Sequence, residues 1–195
     1  FSKKNTNCSV DESMARIADV VARAKSHQLG IRAYLSCVLG CPYEGEMAPE
    51  KVARLAEKLF KMGCDEISLG DTIGVGTPVK TERLIQTVSS SVPVDHLAVH
   101  FHDTYGQALA NIYVSLQQGI SKIDSSIAGL GGCPYARGAT GNIATEEVVY
   151  LLHGMGIETG IHLPSLIAVG QFISQQLNRP PHSKVNVAMS VMGSK

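Results

Sequence analysis

With 195 residues, 44% of them apolar and 17% charged, the chain is long enough to bury one sizeable core and too apolar to be a disordered tail. Seventeen Lys and Arg balance seventeen Asp and Glu, and no basic block or basic-aromatic interleaving could track a phosphate backbone, so no nucleic acid partner is expected. No stretch approaches the roughly 18 consecutive apolar residues of a membrane span, so no membrane partner is expected either.

The opening Phe1-Ser2-Lys3-Lys4-Asn5 lacks the apolar core of a secretory signal, and the tail Met192-Gly193-Ser194-Lys195 lacks a Ser-Lys-Leu address. Five cysteines, Cys8, Cys37, Cys41, Cys64 and Cys133, are odd in number and spread through regular structure. That pattern argues against a disulfide framework and for a soluble chain in a reducing compartment.

Strand and helix alternate along the chain. Ser9-x-x-Glu12 is a capping box before a helix carrying Met14, Ile17, Ala18, Val21 and Ala24, which Gly30 ends. Ile31–Leu35 reads as a strand, and Pro49 opens a helix that runs through Leu59 to Gly63. Three further strands are predicted at Glu66–Leu69, Leu97–His102 and Lys122–Ile127. Helices follow them through Leu84 and Val88, from Gln107 to Gln118 and from Ala144 to Leu152, with a last one from Leu166 to Leu177.

This alternation implies a parallel α/β sheet, open or closed. Polar residues gather just after each strand: Ser36, Asp71 with Thr72, His102 with Asp103, and the loop after Ile127. Several strands feeding one polar site through their C-terminal ends is how a (β/α)8 barrel builds its active face. Four strands are half of such a barrel, and the chain opens in a loop leading to a helix. One domain over residues 1–195 is therefore expected, lacking its N-terminal strands.

His100-x-His102 places two imidazoles on the same side of a strand, where both could meet one metal. Two such histidines can equally be hydrogen-bonded core residues. The loop from Ala128 to Asn142 is glycine-rich, which suits close backbone approach to a ligand or a lid motion, but it lacks the Gly-Lys-Ser/Thr ending of a P-loop. Cys133 within it reads by itself as an incidental exposed thiol.

Taken together these stretches point further. Ser126-Ile127-Ala128-Gly129-Leu130-Gly131-Gly132-Cys133-Pro134-Tyr135 closely resembles the active-site signature of the 3-hydroxy-3-methylglutaryl-CoA lyase family. The resemblance extends to Tyr34–Gly45, Glu66–Pro78 and Ala98–Asn111, which are similar to the family's strand-end motifs in family order, so it covers nearly the whole chain. It implies the C-terminal half of a TIM (β/α)8 barrel, about four βα units. It also implies His100, His102 and Asn142 as ligands of a divalent metal cation, Mg²⁺ or Mn²⁺, with room left for substrate oxygens and water.

Cys133 corresponds to the family's catalytic loop cysteine. Glu146, one helical turn beyond Asn142, could orient that ligand from behind. Asp71 and Thr72 match a polar pair at a strand end, the first among the catalytic groups and the second on the substrate side. Asn5, Tyr34 and Ser36 match positions that line an acyl-CoA site.

The implied reaction is a metal-dependent retro-Claisen cleavage of 3-hydroxy-3-methylglutaryl-CoA to acetyl-CoA and acetoacetate, as in leucine degradation and ketone-body formation. A homodimer is implied for the full-length protein, in the mitochondrial matrix of a eukaryote or otherwise in the cytoplasm. The sequence departs from the family at its front. The Arg-Asp pair of the first barrel strand and a glutamate of the second are not in this chain, nor is a cysteine near the C-terminus.

Two alternatives compete: a related aldolase or synthase of the same superfamily, and a catalytically silent form that pairs with a full-length subunit. Four strands alone are expected to leave two long unpaired edges, to expose apolar inner faces, and to show an open face beside His100 and His102. The isolated chain is accordingly expected to lack significant lyase activity.

Overall fold

The computed structural model describes residues 1–133 and 141–192. Residues 134–140 and 193–195 lie outside the described residues, and with them the middle of the predicted glycine loop. After a single turn α1 (Ser2–Asn5), helix α2 (Val10–Ser26) starts where the capping box foretold. The Glu12 amide donates to Ser9 Oγ at 3.2 Å, and the Ser9 amide donates to the Glu12 carboxylate at 2.7 Å. The helix ends at Ser26, ahead of Gly30, because the chain turns through left-handed Gln28 and the Leu29 amide closes back on the Ala24 carbonyl.

The repeating units then follow in chain order: β1 (Arg32–Ser36), α3 (Pro49–Met62), β2 (Glu66–Asp71), α4 (Pro78–Ser89), β3 (Leu97–Phe101), α5 (Ala108–Gln117), β4 (Ile123–Asp124) and α6 (Thr145–Gly154). Proline opens α3 and α4, and Gly63, at a φ of 111°, closes α3 in a conformation that a Cβ would strain. Helices α7 (Leu163–Gln176) and α8 (Lys184–Met192) complete the chain. Helix α8 was not foreseen, since its nine residues offer little periodicity.

All four strands are parallel, in the spatial order β1-β2-β3-β4. A doubly wound sheet would reverse its strand order at a switch point. An unreversed order with crossovers of one hand puts every connecting helix on the same side, as in an arc of a (β/α)8 barrel. Ile67, Leu69, Leu97, Val99 and Phe101, each at most 1% exposed, pack towards α3, α4 and α5 as the main core. A smaller cluster of Val149, Leu163 and Ile167 joins α6 to α7.

The alternate residues, on the opposite face, are Arg32, Tyr34, Ser36, Glu66, Ser68, Gly70, Ala98, His100 and Asp124, polar apart from the small Gly70 and Ala98. The expected exposure of an apolar inner face is therefore corrected. With a period of two along each strand, the helix-facing side takes the apolar residues and the inner side is polar. Of the two expected edges, that of β1 runs five residues and that of β4 only two.

Strand β4 is shorter than the predicted Lys122–Ile127 because the chain bends into a 3₁₀ turn at Ile127–Gly129. Residues 141–144 run beside it instead. The Ser126 amide donates to Ile143 O at 3.0 Å, the Ile143 amide to Phe101 O at 3.2 Å, and the Asp103 amide to Gly141 O at 3.0 Å.

Candidate active site at the strand ends

The segment 141–144 brings Asn142 to the histidines, because His102 and Asn142 form a backbone bridge. His102 is 6% exposed, whereas His100 stands 27% exposed on the open polar face, as expected, and the two rings are 5.5 Å apart. Two side-chain atoms here are buried without a hydrogen-bond partner among the described residues: His102 Nδ1 and Asn142 Oδ1. Asn142 Nδ2 is occupied, donating to Leu130 O at 3.0 Å.

Burial, and then repulsion from His100, push the His102 imidazole down to a pKa of about 4. The ring is neutral at physiological pH, the form that ligates metal. Among the described residues, no group of three or more His, Cys, Asp and Glu side chains is arranged to hold an ion. The donors on offer are two imidazoles and an amide oxygen. Leaving buried polar atoms unpaired is costly, and an electropositive ion would satisfy both, so the residues present fit a metal.

Behind His100 lies a network that sequence reasoning missed. Asp124 pairs with His100 in the β3–β4 register, and its Oδ2 is 3.6 Å from His100 Nδ1. Ser68 Oγ donates to the same oxygen at 2.9 Å, and Arg32 donates to Oδ1 at 2.6 Å. Arg32 also pairs with Glu66, which binds Lys122 at 2.8 Å. Burial opposes ionisation of Asp124, but His100, Ser68 and Arg32 outweigh it and hold its pKa at about 2. An acidic residue inside the predicted strand Lys122–Ile127 was the available signal.

Asp71 is fully buried at the end of β2, and its carboxylate is already engaged. It accepts from the amides of Gly74 (3.0 Å), Val75 (3.2 Å) and Gly76 (2.7 Å), tying down the β2–α4 loop. Burial raises its pKa, against the pull of those amides. Asp71→Ala would strand two buried donors, Gly74 and Gly76, and the part-buried Val75, so we expect a loss of about 3 kcal/mol of stability, read as a lower midpoint in urea unfolding. An unchanged midpoint would contradict this anchoring role. Thr72 Oγ1 lies 3.3 Å from the sulfur of Cys37, whose backbone is left-handed (φ 62°). Burial pushes the Cys37 thiol up to about 11, so it is protonated at neutral pH.

Glu146, also fully buried, does not serve Asn142 as expected. Both of its oxygens accept from the Ala128 amide, at 3.1 and 3.0 Å, and Oε1 also accepts from Asn186 Nδ2 of α8 at 3.0 Å. Ala128 is left-handed (φ 52°), so Glu146 holds a strained turn at the root of the loop that carries Cys133. The carboxylate sits at the start of α6 and reaches the nearest unpaired amide, which is why helical spacing to Asn142 misjudged its partner. Cys133 is half-buried.

A cavity of about 440 Å³ lies between α1, α2, α3 and the end of β1. Asn5, Tyr34 and Ser36 all line it, so the structure unites the three residues expected at an acyl-CoA site. Thr72 is not among its walls, but its partner Cys37 is. The Tyr34 ring, 58% exposed, also stands edge-on to His100 at 6.3 Å and so joins the cavity to the donor cluster.

Parallel strands in sequential order, with imidazole and amide donors gathered at their C-terminal ends, define an arc of a (β/α)8 barrel that carries its polar site on the usual face. Residues 1–173 match the family described as HMGL-like, and the chain belongs to that family. It is 58% identical to the mitochondrial hydroxymethylglutaryl-CoA lyase of Arabidopsis thaliana, over 97% of this chain and 41% of that protein. The structure of the hydroxymethylglutaryl-CoA lyase from Pseudomonas aeruginosa superposes with a TM-score of 0.95 at 54% identity, covering 98% of this chain and 64% of that one. An HMG-CoA lyase from Acinetobacter baumannii, solved in complex with coenzyme A and 3-methylmalate, superposes at 0.90 with 32% identity, covering 95% and 61%. The chain spans between 41% and 63% of the length of such curated relatives.

Proposed function

We propose that this chain is the C-terminal part of the barrel domain of a hydroxymethylglutaryl-CoA lyase, which cleaves 3-hydroxy-3-methylglutaryl-CoA to acetyl-CoA and acetoacetate. The observation that carries the reading is the pair of buried, unpartnered atoms His102 Nδ1 and Asn142 Oδ1 beside His100, next to a cavity lined by Asn5, Tyr34 and Ser36. The names of the relatives, and coenzyme A in one related structure, support the substrate.

His100, His102 and Asn142 would hold Mg²⁺ or Mn²⁺. An ion held there would supply Lewis acidity towards the substrate's oxygens. Asn5, Tyr34 and Ser36 orient the thioester so that its reacting carbons reach the strand ends. A general base at the site takes the hydroxyl proton, the oxygen becomes the ketone of acetoacetate as the carbon–carbon bond breaks, and its electron pair passes to the acetyl-CoA fragment as an enolate, whose carbon takes up one proton. Cys133, on the loop anchored by Glu146, handles a proton at that step. Asp71 serves by fixing the loop behind the site. Full-length copies form a homodimer, in the mitochondrial matrix of a eukaryote, in keeping with relatives named mitochondrial, and otherwise in the cytoplasm.

The test is acetoacetate release from the 3-hydroxy-3-methylglutaryl thioester by the complete protein, with and without Mg²⁺ or Mn²⁺. Metal-dependent release is expected, and its absence would sink the reading. In the same assay Cys133→Ala should lower turnover by about a hundred-fold while the melting midpoint stays within a degree or two, since a half-buried loop thiol packs little. A lower midpoint with intact turnover would make the cysteine structural.

A further inference from the structure

We infer that Asp124 is a positioning residue for His100, fixing which ring nitrogen faces the donor cluster. This deepens the lyase reading and rests on it for the role of the metal. The geometry is specific, with each of the four strands supplying one member: Arg32 from β1, Ser68 from β2, His100 from β3 and Asp124 from β4. Arg32 at 2.6 Å and Ser68 at 2.9 Å each donate to a different carboxylate oxygen, so the Asp124 side chain is held at both ends. Glu66 fixes Arg32 in turn. What remains of Oδ2 faces His100 Nδ1 at 3.6 Å, an electrostatic contact longer than a formed hydrogen bond.

An ionised carboxylate only accepts, so the imidazole nitrogen nearest it is the one that carries the proton. His100 is thereby held as the Nδ1–H tautomer, with the lone pair on Nε2 available to a metal. A carboxylate placed behind an imidazole in this way sets ring orientation and raises ligand basicity. Asp124 does not line the cavity, and it meets the donor cluster at His100, while Arg32 links it to the Tyr34 hydroxyl at 3.3 Å.

The experiment uses the complete, metal-free protein with ¹⁵N-labelled histidine. Long-range ¹H–¹⁵N spectra report the tautomer of His100, assigned with a His100→Gln variant. The wild type should show the Nδ1–H form. In Asp124→Asn an amide N–H can face Nδ1, so the ring should shift towards Nε2–H, and Mn²⁺ affinity followed by electron paramagnetic resonance should fall about ten- to a hundred-fold. Asp124→Glu should restore both in large part, which a merely structural ion pair would not require.

An Nε2–H tautomer in the wild type would overturn the inference, and that measurement stands even if Asp124→Asn fails to fold. So would a folded Asp124→Asn with wild-type tautomer and Mn²⁺ affinity. Neither readout needs substrate. A wild type that shows the Nδ1–H form but releases no acetoacetate would refute the lyase reading and leave the role of Asp124 intact.

Discussion

His102→Ala is expected to weaken Mn²⁺ binding by at least about a hundred-fold and to remove nearly all metal-dependent acetoacetate release by the complete protein. The variant deletes a buried imidazole that has one nitrogen without a partner among the described residues, on a residue bridged through its backbone to Asn142. Changing a neighbour behind a metal ligand already costs ten- to a hundred-fold in affinity, so deleting a ligand itself should cost more. The metal-free protein should lose little stability at neutral pH, because the lost packing is offset by removal of an unsatisfied buried atom.

The pH dependence gives the same residue a second signature. Its folded pKa of about 4 lies below the ordinary 6.5, so between those values the unfolded chain takes up a proton that the folded one refuses. This contribution to stability is fully present above 6.5 and is lost as the pH falls towards 4. His102→Ala should therefore flatten the fall in melting midpoint between pH 6.5 and 4.5. Wild-type metal affinity in the variant would remove His102 from the site.

Gly141→Ala is expected to have the larger effect on folding. Gly141 sits at a φ of 102°, and a Cβ there would lie 2.2 Å from Gly131 O and 3.2 Å from Gly129 O, both of them backbone atoms. Nothing flexible can yield, so either the glycine loop or the segment 141–144 must move. The Asp103 amide would then lose Gly141 O, and the bridge that sets Asn142 beside His102 would open. A loss of about 3 kcal/mol or more follows from left-handed strain and overpacking together, a drop of roughly 10 °C in melting midpoint. Acetoacetate release should fall with it. Gly132→Ala is the control: a Cβ there meets nothing within 4 Å, so its midpoint should match the wild type. Equal midpoints for both variants would mean that the loop does not pack against residue 141 as described.

Local signals in the sequence determined a good part of this protein. The capping box at Ser9 and Glu12, the prolines that open α3 and α4, and Gly63 set helix ends through bonds and dihedral limits that act within a few residues. The two-residue alternation of β3 put His100 and His102 on one side of the strand, because side chains alternate wherever a strand forms. Tertiary structure alone decided the rest, since it depends on atoms distant in the chain meeting. Residues 141–144 are too few to show periodicity, and only their hydrogen bonds to Phe101, Asp103 and Ser126 reveal that Asn142 joins His102. Asp71 read as a catalytic member of a polar strand-end pair and Glu146 as a support for Asn142, but burial forces each carboxylate to find donors, and these are the amides of Gly74, Val75 and Gly76 and of Ala128. Asp124 could not be assigned before folding, because its meaning lies in Arg32, Ser68 and His100, which only the ordering of four strands side by side brings around it.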